Sequence, residues 1–165
     1  MRKTQPIIAA VALGLALTLS ACHKQEQAAS TQTATLARPG SIGDTAAWNK
    51  YLGQLVAQNA GDFANNNIYP YMVPAGDNDA AKAEYQRQLQ SVQGVIARTV
   101  LPGNLLVFAG PSSAITAKFV GEAFTGAQAN SFKGVTVMFI GDKADEATVQ
   151  KDIAASGATF KFVQM

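Results

Sequence analysis

The chain has one cysteine and one histidine in 165 residues, and they are neighbours, Cys22 and His23. Everything after them lacks both a thiol and an imidazole. That excludes a Ser-His-Asp or Cys-His nucleophile from the body of the protein, because each needs an imidazole base. It also excludes a Cys/His zinc site. A lone cysteine cannot close a disulfide within the chain. Long apolar runs are missing too. The longest, residues 7–19, falls short of the roughly 20 residues that span a bilayer. No G-x-G-x-x-G and no G-x-x-x-x-G-K-[ST] is present, so neither common nucleotide fingerprint applies.

An excess of one charge is also lacking, once the N-terminus is set aside. Lys and Arg number 13 and Asp and Glu 11, but Arg2 and Lys3 lie in the first segment, and no acidic residue does. The remainder balances at 11 against 11. Such a chain has neither the basic footprint of a nucleic-acid binder nor a polybasic patch for anionic lipid. No nucleic-acid partner and no cofactor is expected.

What is present starts at the N-terminus. Arg2 and Lys3 form a positive flank, residues 7–19 an apolar core, and Ser20 and Ala21 a small-residue exit. This is the layout of an export signal. Leu19-Ser20-Ala21-Cys22 closes it, and this tetrad resembles the bacterial lipobox. The resemblance implies a lipoprotein: the Cys22 thiol carries a diacylglyceryl group, a dedicated peptidase cuts between Ala21 and Cys22, and the new amine is acylated. Two or three acyl chains on one residue hold a protein in a membrane, where a single chain binds only reversibly. In enterobacterial lipoproteins an Asp after the cysteine favours the inner membrane. His23 stands there instead, so the resemblance implies the periplasmic face of the outer membrane.

Residues 1–21 are therefore read as signal and 22–44 as the lipidated cysteine with a tether. The tether is rich in Gln, Ala, Ser and Thr and has no apolar period. As a flexible chain it spans roughly 25–28 Å. Residues 45–165 are read as one α/β domain, long enough for a single core. Trp48, Leu52, Leu55, Asn59 and Phe63 follow a helical spacing, with Asp44 or Thr45 as cap. Tyr85, Leu89, Val92 and Ile96 mark a second helix after Asp77-Asn78-Asp79. Between them, residues 65–76 hold three asparagines, two prolines and a glycine, and read as a loop.

The remainder alternates strand and helix, with strands expected at 105–109, 135–140 and 159–163. Phe108 and Phe139, Gly110 and Gly141, and Gly126 and Gly157 each stand 31 residues apart. That spacing fits consecutive βαβ units, whose connections are right-handed. The expected architecture is two N-terminal helices followed by βαβαβ, with a small, mainly parallel three-stranded sheet. The two early helices would cover the face left open by the crossovers. The last strand alternates Phe160, Lys161 and Phe162, as an edge strand does.

Two constellations merit a functional reading. Gly110, Ser112, Ser113, Gly141 and Asp142 fall at the carboxyl ends of consecutive strands, where ligands of open α/β sheets gather. Helix capping accounts for the same residues, since caps are needed with or without a ligand. Asp142, Asp145 and Glu146 suit a helix first turn. The second constellation is the apolar loop with Tyr69, Tyr71 and Met72, residue types enriched at interfaces. The same loop would also serve as a lid on the core. Together these readings lead to a lipid-anchored, non-catalytic module that binds a protein partner, for which an immunity protein against a delivered toxin is one concrete form. The alternative is a small-molecule-binding protein or small enzyme using the strand-end crevice near Ser112 and Asp142.

Overall fold

Asp44 starts the first helix, α1 (Thr45–Asn59), by accepting the Ala47 N–H at 3.0 Å. The helix buries Trp48, Tyr51 and Leu52 on one stripe. A 3-10 turn (Gly61–Asn65) leads into a strand, β1 (Ile68–Met72). Asn78 then caps α2 (Asp79–Ala97), and β2 (Leu105–Ala109), α3 (Ser113–Phe124), β3 (Thr136–Gly141), α4 (Lys143–Ile153) and β4 (Thr159–Gln164) follow. The computed structural model describes residues 37–65, 67–98 and 100–165. The lipobox, Cys22 and tether residues 23–36 lie outside the described residues.

All four strands are parallel, in the order β1-β2-β3-β4. The α/β class is as expected, but the sheet has four strands where three were expected. The additional strand is β1, taken from sequence as part of a loop because of its proline. Backbone direction explains why the proline is tolerated. Val73 donates to the Ala109 carbonyl at 2.7 Å, and Leu105 donates to the Asn67 carbonyl at 3.1 Å. Groups alternate along a strand, so Asn67, Tyr69, Tyr71 and Val73 turn their backbone towards β2. Ile68, Pro70 and Met72 turn theirs outward. Pro70 thus lacks only an N–H that would have faced away from the sheet, which is the place an edge strand accepts proline.

This strand also moves α2. It becomes a crossover between the parallel strands β1 and β2. Right-handed crossovers that advance in one direction across a sheet deposit their helices on one face. Accordingly α2, α3 and α4 share a face, over a core that includes Leu106, Phe108, Val137 and Phe139. Among the described residues the other face is covered by α1, with Trp48, Tyr51 and Leu52 against Leu105, Val107, Met138 and Ile140, and by Phe63 of the 3-10 turn. The expectation that both early helices cover one open face is corrected: a helix joining adjacent parallel strands cannot leave the crossover side.

Residues 37–44, read from the sequence as the end of a tether, belong to the fold. The Arg38 guanidinium meets the Asp142 carboxylate at 2.6 Å and lies over the Trp48 ring, while Trp48 Nε1 donates to the Ser41 carbonyl at 2.9 Å. A spacer composition conceals these contacts, because they come from single residues rather than from a period.

Candidate functional site

The strand-end residues meet as the register requires: Phe108 lies beside Phe139 and Ala109 beside Ile140. Ser112 caps α3, its Oγ accepting from the Ile115 N–H at 3.4 Å. Ser113 is buried and spans two units. Its hydroxyl accepts the Asp142 N–H at 2.7 Å and donates to the Asp145 carboxylate at 2.5 Å. Asp142 occupies the cap position of α4 without a side-chain cap bond, because its carboxylate is committed to Arg38. Gly110 and Gly141 are places of close approach. A Cβ on Gly110 would lie 2.6 Å from the Val73 carbonyl oxygen and 2.7 Å from Thr116 Oγ1. One on Gly141 would meet the Phe139 ring, and would lie 2.7 Å from Ser113 Oγ. The five residues are brought together at the strand ends; Asp142 bonds Ser113 directly, while Ser112 caps its own helix and the Asp142 carboxylate is taken by Arg38.

A cavity lies one strand over, where β1 leaves the sheet. It measures about 430 Å³ and opens between the starts of α1 and α2. Its walls include Trp48, Asn49, Met72, Val73, Pro74 and Glu84. A neighbouring cavity of about 300 Å³ shares Pro74 and Gly76 and reaches Tyr85 and Lys118. Tyr85 donates its hydroxyl to Glu122 Oε2 at 2.6 Å and meets Phe119 edge-on. Desolvation by burial, then the hydrogen bond and the charge of Glu122, raise its pKa well above that of a free phenol.

That shift has a pH consequence. The unfolded chain releases the tyrosine proton near pH 10, and the folded chain releases it later. Tyr85 therefore supports the fold fully below about pH 10, and its contribution falls as pH rises further. Urea unfolding at pH 9 and 11 checks this. Tyr85→Phe should lose less stability across that interval than the parent, and an equal loss in both would refute it.

Of the partner-loop residues, the strand separates Tyr69 from the other two. Tyr69 is 41% exposed. Tyr71 is half-buried and stacks on Phe108 at 5.2 Å between ring centroids. Met72 is half-buried on the α1 face, and Gln88 Nε2 donates to its carbonyl at 2.9 Å. Tyr69 has a partner that sequence reasoning missed. Leu101 is 74% exposed, and the two side chains line one groove of about 200 Å³ with Val95, Val100, Asn104 and Leu106. Leucine just before Pro102-Gly103 looks like an ordinary turn flank. Only the position of β1 reveals that it stands beside Tyr69.

Among the described residues, no group of three or more His, Cys, Asp or Glu is placed to hold a metal ion, and no helix is long and apolar enough to cross a membrane. No protein-family profile, curated protein or solved structure matches the chain.

Proposed function

We propose that the protein is a lipid-anchored module of the bacterial envelope that binds a protein partner through the outer margin of β1. The observation that carries the reading is the shared groove of Tyr69 and Leu101, two of the three large apolar side chains that stand exposed among the described residues. Exposed apolar side chains that share one groove are more informative than the same residues scattered singly. Tyrosine provides contact area at little entropic cost. Tyr71 and Met72 serve as the roots of this surface, holding β1 in the sheet from its two faces. The lipobox supports an anchor at Cys22 on the periplasmic face of the outer membrane. The absence of thiol and imidazole beyond residue 23 supports a binding role over a nucleophilic one. An immunity protein that occupies a delivered toxin is the concrete form of this reading.

The test is affinity capture from cells with the intact lipidated chain as bait and a Tyr69→Ala/Leu101→Ala variant as control. Both side chains are exposed, so the variant should keep its fold. One stoichiometric protein, lost with the variant, is the expected result. No specific protein with either bait would sink the reading and favour a second one. That reading places a small apolar ligand in the cavity of about 430 Å³, because it lies at the carboxyl edge of an open parallel sheet, where ligands collect.

A further inference from the structure

The two edges of the sheet are built differently. At β1 the outward row is broken: Pro70 has no N–H to offer, and the Met72 carbonyl is taken by Gln88. These are devices that keep an edge from pairing with another chain. β4 has neither. Thr159 donates to the Val135 carbonyl at 2.9 Å and Met165 to the Gly141 carbonyl at 3.0 Å, so Thr159, Lys161 and Val163 face β3. Phe160, Phe162 and Gln164 therefore turn their N–H and C=O groups outward, and no described residue bonds to them. Lys161 is the one charge on the strand, and its ammonium is held by the Asn59 carbonyl at 2.5 Å, at the end of α1. It does not stand as a free charge on the edge. Phe160 and Phe162 are half-buried, on the face that carries α4.

We propose that β4 is the interface of a two-fold homodimer, in which Thr159–Gln164 of two copies pair antiparallel and join their sheets into one. The strand is complementary to itself in one register. With Phe162 opposite its own copy, every outward group of the six-residue strand finds a partner. Phe160 then stands beside the partner's Gln164, and Lys161 beside the partner's Val163. Paired residues lie on the same face, so the two Phe162 rings cover each other next to Phe139, which already lies 6.2 Å from Phe162. Sliding one step towards the N-terminus puts Lys161 opposite Lys161, and like charges directly opposite are unfavourable. Sliding the other way puts Phe162 opposite Gln164 and carries Phe160 beyond the partner's Thr159–Gln164. The two β1 margins fall at the far ends of the joined sheet, so both Tyr69 grooves stay open and the dimer is bivalent.

The test transplants the device found at β1. Gln164→Pro removes one outward N–H per copy and leaves the bonds to β3 intact, and the side chain it replaces is exposed. Phe162→Lys sets two ammonium groups across the axis. The intact chain in mild detergent should have twice the chain mass by light scattering corrected for detergent. Each variant should raise the dissociation constant roughly tenfold to a hundredfold, with far-UV circular dichroism unchanged. Tyr69→Ala, at the other edge, should leave it unaltered. A photo-crosslinking residue at Gln164 in living cells should give an adduct of two chains. A monomeric parent, a dimer untouched by Gln164→Pro, or an adduct with a different protein alone would each overturn the proposal.

Discussion

Cys22→Ser should move the protein from the membrane pellet to the soluble fraction, with no change in the domain's unfolding. The effect is all-or-none for a physical reason. Each buried CH₂ of an acyl chain contributes about 0.8 kcal/mol, so a single chain binds marginally while two or three are effectively permanent. Serine retains the size of the side chain but not the thiol that accepts the lipid. Labelling with a radioactive or clickable fatty acid checks the chemistry: label on the parent, none on the variant. Labelled parent in the outer-membrane fraction is expected from His23 in place of Asp. Parent protein that is unlabelled and soluble would remove the anchor from the proposed function. The capture experiment would still test the Tyr69 groove, since that surface does not depend on where the protein is held.

Phe108→Ala should have the largest effect on the fold. Phe108 is fully buried as the fourth of the five residues of β2. Its ring stacks on Tyr71 and lies 6.2 Å from both Phe119 and Phe124. Truncation would leave a cavity bordered by three aromatic rings, one on β1 and two on α3, which cannot all collapse into it. Such a change costs about 3–5 kcal/mol. Domains of this size have a total stability of about 5–15 kcal/mol, so the variant should be close to unfolding at body temperature. Denaturant unfolding measures the loss directly. Phe108→Leu, which fills most of the volume, should lose far less. The substitution also removes the stacking that roots Tyr71 in the sheet. Partner capture through Tyr69 should therefore fall even where the variant remains folded. A loss under about 1 kcal/mol would show that the aromatic cluster is not the centre of the core.

The half of the domain after residue 104 was legible because its signals are local and repeated. A buried parallel strand reads as a short apolar run, and a crossover helix reads as a 3.6-residue stripe. Phe108 and Phe139, paired by their spacing, are neighbours across β2 and β3. Gly126 and Gly157 share that spacing but not a role: Gly157 has φ +77, and Gly126 has no positive φ. β1 was not legible. Pro70 argues against a strand unless its N–H is known to face outward, and that depends on where the edge lies. The side of the sheet taken by α2 followed from the same omission. Of the candidate site, the strand-end residues were found because glycine and serine mark helix starts. Their closure was hidden, since Arg38 reaches Asp142 across 104 positions and no spacing rule reports such a contact.

Among the described residues α1 is the main cover of its face and also the element nearest the proposed anchor. Arg38 and Trp48 tie its leading end to the strand ends, and Lys161 holds its trailing carbonyl. Tension on the chain ahead of Arg38 would therefore reach the ion pair first and the Trp48 stripe next, with the sheet's hydrogen bonds loaded last. The domain should yield to a pull by shedding α1 one turn at a time, while the four strands and their three crossover helices stay together. An anchored protein strained by movement of its membrane would then have a weak link built into its first helix, and a sheet that outlasts it.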